Sequence, residues 1–325
     1  MRRRGVRAGR RRFDGLGGEV DEMRNMASAL LMLGILVTCN LSAHARGGAG
    51  ERRPRVEDID RRTFDAGAGG KLTLAAPIGD VEVAAEETNV VTVEILRRVQ
   101  ADDRGEATRL LANLLVETEQ QGRDVTVRLR FRRETPDDER RRVGLRFQVS
   151  VPRGYNLDVS TVGSFRIGDL QGGVSVETNG GDISIGRVSG DVVAASSGGR
   201  VKIAAADGAS KLTTDGGSVS IESAGAVEAE TGGGPFKATL ARQPRTDSSI
   251  STSGGQIELS IGPGVGVELD AAAADGRVSS DYDEAAGHKR NSLRAAIGGG
   301  GPRLVLRSAG GSIRVRKPSA EAAGR

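Results

Sequence analysis

Along the second half of the chain, apolar and polar residues alternate in short bursts that recur at a nearly fixed distance. Each burst is a glycine, one variable residue and an apolar-polar-apolar triplet: GSFRI at 163–167, GDISI at 181–185, GRVKI at 199–203, GSVSI at 217–221, GPFKA at 234–238, GQIEL at 255–259, GRVSS at 276–280 and GSIRV at 311–315. The anchor glycines are 18, 18, 18, 17, 21, 21 and 35 residues apart. Between them lies a second alternating segment, such as VSV at 174–176 or VVA at 192–194. Alternation with period two is strand patterning, so each unit predicts two short strands joined by glycine turns. That is one coil of a parallel β-solenoid of about 18 residues. Ile183 and Ile185 would point inward and Ser184 outward, with the next coil stacked ~4.8 Å away. A β-sandwich of hairpins is the alternative for any glycine-rich, strand-rich chain, and the even period argues against it. The spacing of 35 is close to two units and predicts a further, degenerate coil around Arg294.

Upstream of the repeats the pattern is less regular. Residues 46–63 are charged and without period, and are expected to be a flexible segment. Residues 64–158 form an N-terminal β region, with strands expected at Lys71–Ala75, Val81–Ala84, Val90–Leu96, Val125–Phe131 and Val143–Val151. One amphipathic helix is predicted over 105–121, from Leu110, Leu111, Leu114 and Leu115 on one face and Gly122 as its stop. An open first coil needs covering, and this strand-helix-strand part could be its cap. The charged run Arg132–Arg142 reads as a solvated loop. Repeats occupy 159–317, and 318–325 is a tail.

The first 45 residues carry an address. Met26–Leu41 is apolar, is preceded by Arg24 and runs into Ala43-His44-Ala45, a small-x-small pattern that predicts a signal peptide cleaved after Ala45. Its apolar run falls short of the ~20 residues a membrane-spanning helix needs, so no permanent span is expected. A buried core helix is one alternative, and acylation at Cys39 as a lipoprotein is another. Glu19, Asp21 and Glu22 interrupt what would be a twin-arginine signal at Arg11-Arg12-Phe13, so a start at Met23 or Met26 is favoured. Of the 47 Lys and Arg and the 43 Asp and Glu, eight Arg and four acids lie in residues 1–45, so the two signs balance in the remainder. A basic footprint for nucleic acid is therefore not expected in the exported chain.

Composition then narrows the chemistry. There is no Trp, two Tyr and six Phe, so the core must be aliphatic. One Cys (Cys39) and two His (His44, His288) exclude an internal disulfide and the usual zinc sets. His288, the one histidine after Ala45, lies in a polar loop pattern and no GxSxG elbow exists. Only Asp182 is acidic after an anchor glycine, which disfavours a stacked calcium ladder. The acids Asp281, Asp283 and Glu284 are the densest group and the one place where glycan cleavage by two carboxylates could sit. The outward column reads Arg166, Ser184, Lys202, Ser220, Lys237, Glu258, Ser279 and Arg314, with no aromatic platform for sugar or base.

The order of GDVEV at 79–83, FQVSVPRGYNLDV at 147–159, the repeats, IGGGGPRLVL at 297–306 and a last GSIRV resembles a bacterial family known as "putative adhesin", exported proteins of β-strand repeats. The resemblance spans about residues 64–317. It implies a right-handed parallel β-solenoid at the cell envelope and supplies no catalytic residue. The expectation is an all-β, non-enzymatic, exported structural, binding or adhesion module in the periplasm, outer membrane or cell surface. No catalytic, cofactor or metal residue is expected, and the partner would be an envelope glycan or protein. End-to-end self-assembly through the terminal coils, or a polysaccharide-cleaving enzyme on a β-helix, are the alternatives. Replacing inward Ile185 or Val219 by Asp is expected to abolish cooperative unfolding by urea, because an unpaired carboxylate would enter an apolar interior. A variant that melts like the parent would mean that the coil register is wrong.

Overall fold

A computed structural model describes residues 55–223, 225–282 and 289–317. The signal segment, Cys39, Asp283, Glu284, His288 and the tail lie outside these residues.

In chain order the N-terminal region contains β1 (Arg55–Asp65), β2 (Lys71–Ala75), β3 (Asp80–Glu86), β4 (Val90–Gln100), α1 (Arg104–Ala112), β5 (Leu114–Gln121), β6 (Asp124–Phe131), α2 (Asp137–Arg140) and β7 (Val143–Pro152). The repeats follow as β8 (Asn156–Thr161), β9 (Phe165–Ile167), β10 (Val174–Thr178), β11 (Ile183–Val188), β12 (Val192–Ser196), β13 (Val201–Ala206), β14 (Ser210–Thr214), β15 (Val219–Ser223), β16 (Val227–Thr231), β17 (Phe236–Leu240), β18 (Ser248–Thr252) and β19 (Ile257–Ile261). The chain closes with β20 (Val267–Ala273), β21 (Val278–Ser280), β22 (Ser292–Ile297), β23 (Arg303–Ser308) and β24 (Ile313–Arg316).

These strands form two sheets of 12, mostly parallel, and the fold is an all-β solenoid. Sheet A runs β1-β4-β7-β3-β9-β11-β13-β15-β17-β19-β24-β21, and sheet B runs β22-β20-β23-β18-β16-β14-β12-β10-β8-β2-β6-β5. Each coil takes one strand from B and the next from A, and the inward residues of both make one apolar core. Ile183 and Ile185 are buried in it, with Ser184 on the outer side. Val174, Val192 and Val201 repeat the pattern in neighbouring coils.

What holds the coils in register is a column of glycines. A Cβ built on Gly181 would stand 2.0 Å from the Gly163 carbonyl oxygen, on Gly199 1.9 Å from that of Gly181, and on Gly217 1.8 Å from that of Gly199. Only a hydrogen fits there. Beside this column runs a row of buried hydroxyls. The Thr178 hydroxyl donates to the Gly163 carbonyl at 2.6 Å and accepts from the Gly181 N–H at 3.3 Å, and Ser196 repeats this with Gly181 and Gly199 at 3.1 and 2.9 Å. Each hydroxyl thus satisfies backbone groups that the sharp corner leaves outside the ladders. The carboxylates of Asp182, on this glycine corner, and of Asp169 and Asp191, at the other turns of the coils, each accept, at 2.8 Å, the N–H of the residue 18 positions later.

Coil order in space departs from order in sequence at both ends. β23 and β24 slot between earlier coils: Leu304 stands opposite Ser248 on one side and Leu269 on the other, and Ile313 between Ile257 and Val278. Gly311 therefore stacks on Gly255, and Gly276 on Gly311. The degenerate coil expected around Arg294 does not exist. Arg294 lies in β22, which runs antiparallel to β20 and covers the end of sheet B. The N-terminal end mirrors this arrangement, with β2 between β8 and β6, and β3 between β9 and β7.

Two other expectations are corrected. The segment assigned as flexible is, from Arg55 onward, strand β1, paired antiparallel with β4 along its whole length. Its inward positions include Asp58 and Asp60, both buried; Asp58 pairs with Arg97, and Asp60 takes Arg62 at 2.8 Å. Inward charges disguise the strand pattern and also discourage edge-to-edge pairing. The helix predicted over 105–121 is helical only over Arg104–Ala112, begun by Asp103, whose side chain accepts the Glu106 N–H at 2.8 Å. Beyond Asn113 the chain becomes β5, because Leu114, Val116 and Thr118 alternate toward the core opposite Phe131, Leu129 and Val127. Gly122, at φ 60°, is the turn of the β5–β6 hairpin rather than a helix stop. As expected, this region caps the solenoid: β4, β1 and β5 extend the sheets antiparallel, and Ala107 and Leu110 of α1 are buried. Within the charged run Arg132–Arg142, the single turn α2 buries none of its residues.

Gly199→Ala should lower stability by about 3 kcal/mol, the upper range for an overpacked interior, because the carbonyl it strikes is backbone. Gly198 has open space where a Cβ would go, so Gly198→Ala should leave the urea midpoint nearly unchanged. Equal effects of the two would contradict the stacking.

Candidate functional site

Alternation in the strands of sheet A fixes what its outer face carries. Register places Arg166 of β9, Ser184 of β11, Lys202 of β13, Ser220 of β15 and Lys237 of β17 side by side in one row. Glu82 of β3 stands next to Arg166 at one end, and Glu258 of β19 next to Lys237 at the other. The adjoining row contains Ala84, Gly168, Gly186 and Ala204, side chains too small to fill the space beside Arg166, Ser184 and Lys202, and it continues with the larger Glu222 and Thr239 beside Ser220 and Lys237. A trough results.

Corner residues form its far wall. Arg153, Gln171, Arg187 and Ser189 line a depression of about 600 Å³ whose floor includes Ala84 and Gly168. A second, of about 490 Å³, shares Arg153 and Gln171 and continues toward Glu86, Glu87 and Asn89. Both are shallow and open. Arg153 pairs with Glu87 at 3.4 Å, and the Asp169 carboxylate is occupied by the Arg187 N–H.

Beneath this corner Tyr155 is fully buried. Its hydroxyl donates to the Arg123 carbonyl, and its ring lies where a Cβ on Gly70 would stand, so it ties three successive turns together. Burial, with a lesser push from the Asp124 charge, raises its phenol to about 12.

A second charge cluster sits at the opposite end, on sheet B. Asp270 of β20 takes Arg307 of β23 at 3.1 Å, with Arg294 of β22 at 3.8 Å and Arg303 at 4.0 Å. The Arg307 hydrogen bond, against a smaller cost of burial, holds its carboxyl below the usual range. The covering strand β22 and the coil strands β20 and β23 are pinned through one carboxylate, and this cluster is accounted for by cohesion.

The residues singled out as candidate chemistry are not brought together. Asp281 accepts the Lys317 N–H at 3.3 Å, while Asp283, Glu284 and His288 are outside the described residues. Tyr282 donates to the Ile261 carbonyl at 2.9 Å and lies under the Lys317 ammonium. Among the described residues, no group of three His, Cys, Asp or Glu could hold a metal, and no helix is long and apolar enough to cross a membrane. The outward row was readable from the repeat. The trough beside it was not, since it depends on how the corners at 152–154, 168–171 and 187–189 rise above the sheet.

Solved proteins of similar architecture exist. One is a "putative adhesin" from Parabacteroides merdae, 14% identical, covering 81% of this chain and 96% of its own, with a TM-score of 0.40. A "putative cell adhesion protein" from Clostridium sporogenes is 8% identical, covers 81% of this chain and 99% of its own, and has a TM-score of 0.25. A "putative lipid binding protein" from Parabacteroides distasonis is 12% identical, covers 80% and 97%, and has a TM-score of 0.36. Several solved neighbours thus carry adhesin names. At such identities the likeness concerns the fold alone, and the fold is established by the two sheets themselves. No protein-family profile and no curated protein matches the chain.

The Tyr155 proton has a measurable consequence. The unfolded phenol ionises near 10.0 and the folded one near 12, so the folded state holds the proton more tightly. This contribution is complete below the unfolded value and is lost as pH rises through the folded one. Urea titrations should show stability falling from pH 10 to 12, and Tyr155→Phe should flatten that fall to the part owed to Tyr282, whose phenol burial also raises. At neutral pH the same variant should cost about 1 kcal/mol for the lost hydrogen bond. An unchanged alkaline slope would place the responsible group elsewhere.

Proposed function

We propose that the chain is an exported, non-enzymatic binding or adhesion module that holds a component of the cell envelope, a glycan or a protein, against the outer face of sheet A. The observation that carries this reading is the trough with its flanking row. The trough runs from Ala84 to Ala204, the cationic row continues beyond it to Lys237, and both are built mainly on strands whose register is locked from within. Such a surface presents polar side chains at fixed intervals and keeps them there without a ligand, which lowers the ordering cost of binding. A shallow, open site of this shape suits an extended surface partner better than an enclosed small molecule. Export rests on the apolar stretch Met26–Leu41 and the small-x-small pattern ending at Ala45.

Assembly through open terminal coils is the weaker reading. The outermost strands are β1 and β5 at one end, and β21 and β22 at the other. β1 carries inward charges, β5 alternates Glu117 and Glu119 with smaller residues, and β21 has only three residues. These are devices that blunt a sheet edge.

Sedimentation of the purified chain, alone and mixed with envelope fragments from the source cells, distinguishes the two. Pelleting only with fragments is the expected result. Concentration-dependent pelleting of the chain alone would favour self-assembly, and no pelleting in either condition would overturn the envelope-binding reading.

A further inference from the structure

The row on sheet A has a charge pattern of its own. Cations alternate with serines, Arg166, Ser184, Lys202, Ser220 and Lys237, one residue per coil, and a carboxylate closes each end. Parallel strands lie ~4.8 Å apart, so neighbouring cations in this row stand about 10 Å apart. Side-chain flexibility can blur that interval, but the glycine column prevents the coils from slipping out of it.

The row is not neutralised from within. Among the described residues, Arg166 and Lys202 have no carboxylate in ion-pair distance, although Glu82 is in register with Arg166. Lys237 reaches Glu258 only at 4.0 Å, and that carboxylate is nearer Arg316, at 3.4 Å. Elsewhere on the molecule exposed cations are matched more closely, as in Lys211 with Glu228 at 2.9 Å or Arg98 with Glu57 at 2.8 Å. A regular line of uncompensated charge draws its counter-charge from a partner.

We infer that this row binds an acidic polysaccharide that carries one anionic group on every second sugar, with the anions seated at Arg166, Lys202 and Lys237. This inference rests on the envelope-binding reading above and names its ligand class. Two extended sugars span a length comparable with two coils, so successive anions would meet successive cations. Ser184 and Ser220 fall opposite the intervening sugar, where a hydroxyl can donate to or accept from sugar hydroxyls. Gly168, Gly186 and Ala204 leave room for the width of the rings beside Arg166, Ser184 and Lys202, while Glu222 and Thr239 flank Ser220 and Lys237, where the chain would leave the trough. A nucleic acid fits less well: a duplex presents a phosphate every ~3.4 Å along each strand, so most would meet no cation. No aromatic side chain stands in the row to stack a base. A membrane surface fits less well too, because the exposed large hydrophobics, Ile59, Val162 and Val193, lie outside the row.

The test uses hyaluronan, with one carboxylate per disaccharide, as the acidic probe, and dextran as the neutral one. Duplex DNA and phosphatidylglycerol vesicles represent the two rival surfaces. The purified chain should bind hyaluronan in preference to the other three, and more weakly as ionic strength rises from about 0.01 to 0.15 M, which shortens the Debye length from ~30 to ~8 Å. Replacing Arg166, Lys202 and Lys237 together by Gln should weaken hyaluronan binding by about tenfold, since three exposed ion pairs of modest individual strength are lost. The decisive variant exchanges two neighbours, Ser184→Lys with Lys202→Ser. It keeps the net charge and breaks the interval, and should weaken binding nearly as much as losing one cation. Circular dichroism and the urea midpoint should stay the same in all variants, because every altered side chain points outward.

If the exchange variant binds hyaluronan as well as the parent, the interval is irrelevant and the inference fails. Preference for DNA or vesicles would overturn it as well. If envelope fragments are still retained unchanged by the triple Gln variant, the inference fails while the envelope-binding reading stands. If the parent chain retains no envelope fragments at all, that reading fails first.

Discussion

The structure depends on how closely two backbones approach at one corner of each coil. Where Gly199 passes Gly181, there is no room for a methyl group, and the same holds down the column from Gly163 to Gly276. That contact brings the neighbouring strands into pairing distance in both sheets, and the rest follows from it. Buried hydroxyls such as Thr178 and Ser196 then reach the carbonyl of the previous coil and the amide of their own. Valine and isoleucine side chains stack on their counterparts with little lateral freedom, and outward residues fall into straight rows. The interval between cations on sheet A is therefore inherited from a steric constraint at the corner that precedes each strand.

The two ends solve a different problem. A solenoid that stopped abruptly would expose both an apolar cross-section and unpaired strand edges. Here the N-terminal end is closed by β4, β1 and β5 with α1, and the C-terminal end by β22 and the short β21. Charges assist at each place, inward at Asp58 and Asp60, outward around Asp270. A carboxylate surrounded by three guanidinium groups ties the cap strand β22 to β20 and β23, whereas the opposite cap relies on pairs between β1 and β4.

Much of this was legible from residue order. The recurrence of glycine followed by an apolar-polar-apolar triplet gives the coil, its inward and outward faces, and the composition of the outer row, because all three are local properties repeated many times. What could not be read is of two kinds. Some local patterns point the wrong way: Leu110, Leu111, Leu114 and Leu115 suit one helical face, yet the chain changes to a strand at Leu114, where Val116 and Thr118 alternate against β6. Asp58 and Asp60 make a buried strand look like a solvated segment. The rest is nonlocal. Nothing near Leu304 or Ile313 states that these residues enter between coils already formed by Ser248–Ile261 and Val267–Ser280, because the partners are chosen by three-dimensional fit. The trough was hidden for the same reason, since it is a difference in height between a sheet and its corners.

The interleaving of β2 and β3 at one end, and of β23 and β24 at the other, sets how this architecture can change its length over evolutionary time. In a simple stack, a coil can be gained or lost at either terminus by extending or truncating the gene. Here the coil of β23 and β24 has neighbours on both sides, so its loss would open a gap and strand the cap beyond it. Duplication or deletion is tolerated only as a whole unit from the plain middle stretch, between β8 and β19, where sequence neighbours are also spatial neighbours. Relatives of different size should therefore share both ends and differ in the number of units between them.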